Sequence, residues 1–222
     1  MSKLPGGPMA ARPLHVVGLV DCSESMEGIK IQVVNNAMRE TIPHIQKAAA
    51  ENPHAQVLVR VITFATDVQW HIETPTPVAE LKWSDVSASG KTAFGKALTV
   101  LAEQLRVSVL GERALPPVLL ALSDGRPTDD FAAGLKALFD QPWGRKALRI
   151  AIAIGKDADR DLLNSFMAHP ELKPLEANNV ESLIKYIQWA TTTGIRSASS
   201  PMIQASATGA PAVNVPIPTP PP

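Results

Sequence analysis

Short runs of almost wholly apolar residues recur along this chain, with helix-length segments between them: Leu14–Val20 (LHVVGLV), Gln56–Phe64 (QVLVRVITF), Val118–Leu122 and Leu148–Ile154 (LRIAIAI). A strand with one wet face alternates polar and apolar residues, whereas a run that is apolar nearly throughout is covered on both faces. The intervening segments place apolar residues at helical spacing. Ile29, Val33, Ala37, Met38 and Ile42 mark a helix from about Met26, which Pro43 is expected to kink or break. Ala97, Leu98, Leu101 and Leu105 mark a second, from Ala93 to about Val109. Phe131–Phe139 and Arg160–Ala168 follow, and a last helix starts near Asn178, with Asn178 and Glu181 at capping-box spacing and Val180, Leu183, Ile184 and Ile187 as its buried stripe. Val68–Ile72 reads as a strand paired across a tight turn at Ala65–Asp67, and Leu172–Leu175 as a short edge strand, while residues 74–90 lack a period and read as a long loop. The fold class that follows is α/β: a doubly wound, Rossmann-like three-layer sandwich with a mostly parallel central sheet and one antiparallel edge strand.

At 222 residues and 45% hydrophobic content, one domain with a sizeable core is expected. Residues 1–12, interrupted by proline and glycine, read as a flexible arm, residues 13–195 as the folded domain, and residues 196–222 as a proline-rich disordered tail. The tail ends in VPIPTPPP, which favours polyproline II. Lysine plus arginine equals aspartate plus glutamate at 21 each, so no overall field recommends nucleic acid or an anionic membrane as partner. No apolar stretch reaches the ~18–20 residues of a membrane span, and the first apolar run is too short for a signal-peptide core. With Cys22 as the single cysteine, the expectation is a cytoplasmic protein without disulfides. The histidines at 15, 44, 54, 71 and 169 are scattered and give no zinc pattern.

In parallel sheets, ligands gather beyond the carboxyl ends of the strands. Asp21-Cys22-Ser23-Glu24-Ser25 follows the first strand, Thr92 lies in GKTAFG at the front of a helix, and Asp124 follows VLLALS. Residues two apart in an extended turn project to one side, so Asp21, Ser23 and Ser25 can converge. Three hydroxyls and two carboxylates form an all-oxygen, hard donor set, suited to magnesium or manganese.

The order Asp-x-Ser-x-Ser, then Thr about 70 residues on, then Asp-Gly about 30 further, resembles the metal-ion-dependent adhesion site of von Willebrand factor A domains. The resemblance covers residues 14–193. The segments SDGRPTDD and IAIAIGKDADRDLL, then a closing helix and a tail, look most like bacterial stand-alone A domains associated with tellurium resistance. It implies that Ser23, Ser25 and Thr92 contact the metal, while Asp21 and Asp124 act directly or through water. It also implies a non-enzymatic module that binds an acidic residue of a partner, with a protein kinase and a metal-dependent serine/threonine phosphatase among its partners in a stress-response or defence setting. Glu24 and Lys91 depart from the commoner form of the motif, which has small residues there.

The alternative is a magnesium-dependent nucleotide or phosphate hydrolase. Ser89-Gly90-Lys91-Thr92 suggests a phosphate-binding loop, but the glycine that motif needs falls at Asp85. No Gly-x-Ser-x-Gly elbow is present, and Cys22 reads as inert packing. Thr128 is expected to cap the helix that follows, with Asp129 and Asp130 favouring its dipole, and Trp83 is a candidate partner anchor in the long loop.

Overall fold

The computed structural model describes residues 11–199; residues 1–10 and 200–222, with most of the expected arm and tail, lie outside the described residues. Six strands form one sheet: β1 (Arg12–Asp21), β2 (Ala55–Phe64), β3 (Val68–Pro77), β4 (Val118–Ser123), β5 (Leu148–Ile154) and β6 (Leu175–Ala177). Their spatial order is β3-β2-β1-β4-β5-β6, and every pairing is parallel except β2 with β3. The helices are α1 (Ile29–Ala50), α2 (Phe94–Gln104), α3 (Val107–Leu110), α4 (Phe131–Asp140), α5 (Pro142–Lys146), α6 (Arg160–Met167) and α7 (Val180–Ser199). They cover both sides of the sheet, giving the three-layer α/β sandwich expected. α1 packs with α7, and α2 with α4. β4 and β5 are buried at every residue, which explains why their sequences show no polar alternation.

Several boundaries differ from the sequence reading, each for a local reason. Residues 24–26 form a turn of 3-10 helix, and α1 begins only at Ile29, after Gly28 with its φ of 74°. Pro43 does not break α1. A proline inside a helix costs about 3 kcal/mol, but Ile42 and Ile45 are both buried, and ending the helix would expose them. β3 runs five residues past Ile72, because an edge strand tolerates Pro75 and Pro77, which lack an N–H, where no further strand pairs on the outer side. α2 ends at Gln104, and Arg106 is extended before α3. The short edge strand lies at Leu175–Ala177 rather than Leu172–Leu175, since Leu172 is held in a turn whose N–H bonds His169 Nδ1. Asn179 rather than Asn178 opens α7: its side chain accepts from Ser182 N at 2.8 Å. α7 continues to Ser199, past the domain limit expected at residue 195.

One buried pair lies on the face of the sheet toward α2. His15 on β1 is 7% exposed with its Nδ1 unpartnered, and Arg60 on β2 reaches Gln104 Oε1 at 2.8 Å while lying over the Trp70 ring. Burial, with the Arg60 charge adding to it, depresses the His15 pKa to about 4. The unfolded chain therefore takes up a proton near pH 6.5 that the folded chain refuses until about pH 4. Stability should be unaffected by this group above about pH 6.5 and fall by up to about 3 kcal/mol as the pH drops toward 4. Urea melts between pH 7 and 4 check this, and His15→Leu should flatten the decline over that window.

Candidate metal centre

β1 and β4 are neighbours, with Val20 opposite Leu122, so their carboxyl ends bring Asp21 beside Ser123 and Asp124. The chain turns to β2 on one side of β1 and to β4 on the other, which makes this the switch point of the sheet, where a crevice forms. Asp21 and Asp124 are both 0% exposed. Asp21 Oδ1 accepts from Ser23 N at 2.9 Å, and Asp21 Oδ2 accepts from Ser123 Oγ at 2.5 Å. Ser123 Oγ in turn accepts from Gly125 N at 2.8 Å. Burial pushes the Asp21 carboxyl above its ordinary range; the bonds from Ser123 and Ser23 oppose this, and the Asp124 charge adds to it. Asp21 is thus a core residue as well as a strand-end one.

The 3-10 turn brings Ser23 and Ser25 together, with their Oγ atoms 3.0 Å apart. Ser23 is buried and Ser25 exposed, so the pair leads from the carboxylates to solvent. Thr92, 4% exposed, lies on a loop tied to this turn by Glu24 N to Gly90 O at 2.9 Å and Ser89 N to Cys22 O at 2.8 Å. The same Thr92 is joined to the loop after Asp124: its N–H donates to Thr128 Oγ1, and its carbonyl accepts from Thr128 N at 2.8 Å. Phe94 seats the start of α2 by stacking on Phe64 at 4.7 Å and meeting Phe131 edge-on. Gly90 needs its small size and its φ of 76°, since a Cβ there would lie 2.3 Å from Thr66 Oγ1.

The acidic residues after Asp124 act differently from the sequence expectation. Thr128 bonds Thr92, and Asp130 caps α4 by accepting from Ala133 N. Asp129 accepts from Gly95 N at 2.9 Å and Lys96 N at 2.7 Å, so it caps α2 from a different segment. Two residues of the site were missed in the sequence. Ser123 is found only once β1 and β4 are in register. Lys30 Nζ lies 3.3 Å from Asp124 Oδ2 and 3.1 Å from Asp157 Oδ1, an ion pair across 94 and 127 positions of sequence. The one sequence signal for Lys30 is a cation in the first turn of a helix, where the dipole disfavours it.

Asp124 Oδ1 is buried and has no hydrogen-bond partner. A buried carboxylate oxygen left bare is costly, and a cation is the natural complement to it. Among the described residues there is no group of three or more His, Cys, Asp or Glu placed to hold a metal. Any cation here would rely on hydroxyl oxygens, which Ser23, Ser25 and Thr92 supply, and such a hard set fits magnesium or manganese.

Cys22 is 6% exposed, and burial, then the nearby Asp21 charge, pushes its thiol up to about 12. Both effects favour the protonated thiol over the nucleophilic thiolate. Residues 81–93 contain no strand, so no strand leads into Gly90 and Lys91 as a phosphate-binding loop requires. Trp83, half-buried, donates its Nε1–H to Asn35 Oδ1 at 3.0 Å and meets the His71 ring, which ties the long loop to the body of the domain. A polar cleft of about 430 Å³ opens beside the turn, lined by Cys22, Thr66, Asp67, His71, Asp85 and Ser89 among others.

Residues 15–188 match the family model of the von Willebrand factor type A domain, and the chain belongs to that family. Domains of this family generally mediate protein–protein interaction and adhesion and are not generally enzymes. No curated protein matches the sequence. Among solved structures, the pilus adhesin SpaC of Lactobacillus rhamnosus GG in its open conformation is similar, with a TM-score of 0.66 and 15% identity over 85% of this chain and 30% of that one. A von Willebrand factor type A protein from Catenulispora acidiphila gives 0.62 and 16% over 83% and 43%. Proximal thread matrix protein 1 of the mussel byssus, solved with a zinc-occupied adhesion motif, gives 0.57 and 16% over 84% and 46%. This chain thus spans less than half of each of these proteins. No helix among the described residues is long and apolar enough to cross a membrane.

Proposed function

We propose that this domain is a non-enzymatic, metal-dependent adhesion module, which holds magnesium or manganese at the end of β1 and β4 and binds an Asp or Glu of a partner protein there. The observation that carries the reading is the bare, buried Asp124 Oδ1 beside a second buried carboxylate, Asp21, with Ser25 opening the same turn to solvent. Ser23, Ser25 and Thr92 would hold the cation directly, and Asp21 and Asp124 directly or through water. When bound, a divalent cation with mostly neutral donors stays electrophilic enough to accept a further carboxylate oxygen. Asp21, fixed by Ser123 and Ser23 N, sets the shape of the turn, and Thr92 closes it from the α2 side. Glu24, exposed between the two serines, discourages acidic partners that do not reach the metal. The cleft beside the turn offers hydroxyls and carboxylates to the partner residues that flank the acidic one. By the resemblance to stand-alone tellurium-resistance domains, a protein kinase and a metal-dependent serine/threonine phosphatase are the partners to try first, in a cytoplasmic stress response.

Calorimetric titration of chelator-treated protein with magnesium chloride tests the site. Wild type should bind, and Asp21→Asn should not, while both proteins still melt cooperatively in chelator. The amide keeps the shape and removes a desolvated charge, which offsets the bond lost where its NH2 replaces an accepting oxygen. Equal metal affinity in the two proteins would defeat the assignment. Capture of a partner from cell extract should require the metal and disappear when one partner Asp or Glu is neutralised.

A further inference from the structure

Lys30 is the residue about the site that neither the motif nor the proposed function uses. Its ammonium bridges two carboxylates of different character: Asp124, fully buried, and Asp157, whose side chain is about half exposed at 53%. The bridge has been given room. Gly155, at a φ of 87°, lies under it, and a Cβ there would come within 2.8 Å of both Lys30 Cε and Asp157 Oδ1. Arg126 Nη2 holds the Asp157 carbonyl at 2.8 Å, which fixes the loop that carries the outer carboxylate. Among the described residues no other Lys or Arg forms an ion pair with Asp124.

We infer that Lys30 is a built-in cation that competes with the metal for Asp124 and sets the affinity of the site, with Asp157 as the carboxylate that retains it when Asp124 turns to the metal. The inference rests on the adhesion-site reading above. Lys30 holds Asp124 Oδ2 and a divalent cation would take the bare Oδ1, so the two positive charges share one buried carboxylate, repel each other and divide its charge, and both effects weaken metal binding. Because Lys30 is already within 3.1 Å of Asp157, releasing Asp124 requires no new partner and only a small movement. The metal-free domain is thereby spared a second uncompensated buried carboxylate. The metal-bound domain keeps a positive charge at the rim of the socket, where an acidic partner approaches.

Removing Lys30 and removing its outer partner Asp157 give opposite expectations, which makes the test decisive. Magnesium and manganese titrations by calorimetry would compare wild type, Lys30→Met and Asp157→Asn, all with their full chains. Lys30→Met should bind metal about tenfold more tightly, which is about 1.4 kcal/mol, because the competitor is gone. Asp157→Asn should bind it several-fold more weakly, because the ammonium then rests wholly on Asp124. Melting curves give a second readout: the rise in melting temperature on adding metal should be larger than wild type in Lys30→Met and smaller in Asp157→Asn. Metal binding by Lys30→Met alone, with none by wild type, would support the competition in its strongest form. Wild-type binding with unchanged or weaker affinity in Lys30→Met would overturn the role of Lys30 and leave the metal site standing. Absence of binding in all three proteins would remove the site and this inference together.

Discussion

Thr92→Val should lose metal affinity by at least about 100-fold and lose metal-dependent partner capture with it, while the neighbouring Lys91→Ala keeps the metal. Valine preserves the branched shape of threonine and replaces one oxygen with a methyl group, and Thr92 is 4% exposed, so packing is nearly unchanged. Both main-chain bonds of Thr92 to Thr128 are retained, because neither uses the hydroxyl. What disappears is one donor from a small set. Loss of a group that merely supports a metal ligand typically costs 10–100-fold in affinity, so a direct donor belongs at or above the upper end. Lys91, by contrast, is exposed, and its N–H is bonded to Thr66 Oγ1 whatever the side chain. The pair also separates adhesion from nucleotide hydrolysis, in which the lysine would be the indispensable member. Magnesium-dependent ATP turnover abolished by Lys91→Ala would reverse the conclusion, as would a Thr92→Val protein with wild-type metal affinity.

Gly134→Ala should destabilise the domain by about 3 kcal/mol, a large effect for one methyl group. Gly134 on α4 and Gly95 on α2 are pressed together: a Cβ on Gly134 would lie 2.1 Å from Gly95 O and 2.7 Å from Gly95 Cα. Those are backbone atoms, which no rotamer change can move away. The helices must therefore part, and with them the bonds from Asp129 to Gly95 N and Lys96 N. Alanine recovers up to about 1 kcal/mol through its higher helix propensity, so the clash itself must exceed the net loss. The start of α2 also places Thr92, so metal affinity should fall alongside stability. Urea unfolding with the slope unchanged and the midpoint lowered is the expected record. A loss under about 1 kcal/mol would mean that the two helices can slide apart more freely than this contact implies.

The parts of this molecule that were legible in its sequence are those whose physics is local. β4 and β5 could be read because strands covered on both faces have no reason to alternate. Asp21, Ser23 and Ser25 could be grouped because they are near in sequence at a strand end, although a 3-10 turn at residues 24–26, not the extended turn expected, brings the two serine oxygens to 3.0 Å. β3 was read too short because its far end, an edge, is polar and proline-bearing and so looks like a loop. Pro43 is expected from the sequence to kink or break α1 because the packing that keeps the helix running, α7 included, comes from far along the chain. Ser123 and Lys30 were invisible for the same reason. One depends on the register of two strands about 100 residues apart, and the other on a helix start meeting the loop after β5. Asp129, expected to favour the dipole of α4 beside a Thr128 cap, caps α2 instead, since a carboxylate satisfies whichever N–H groups the tertiary fold brings to it.

The setting of Cys22 has a consequence for where such a domain can work. With its thiol pushed up to about 12 and the residue only 6% exposed at the edge of the cleft, Cys22 stays in its thiol form near neutral pH. Oxidants, electrophiles and other thiols act mainly through the ionised form, so this sulfhydryl is a slow reactant. A lone cysteine fits a reducing compartment when counted, but one this unreactive would persist equally well in an oxidising one. A slow thiol beside the candidate site leaves divalent ions and charge, rather than redox state, as the levers on the proposed metal binding.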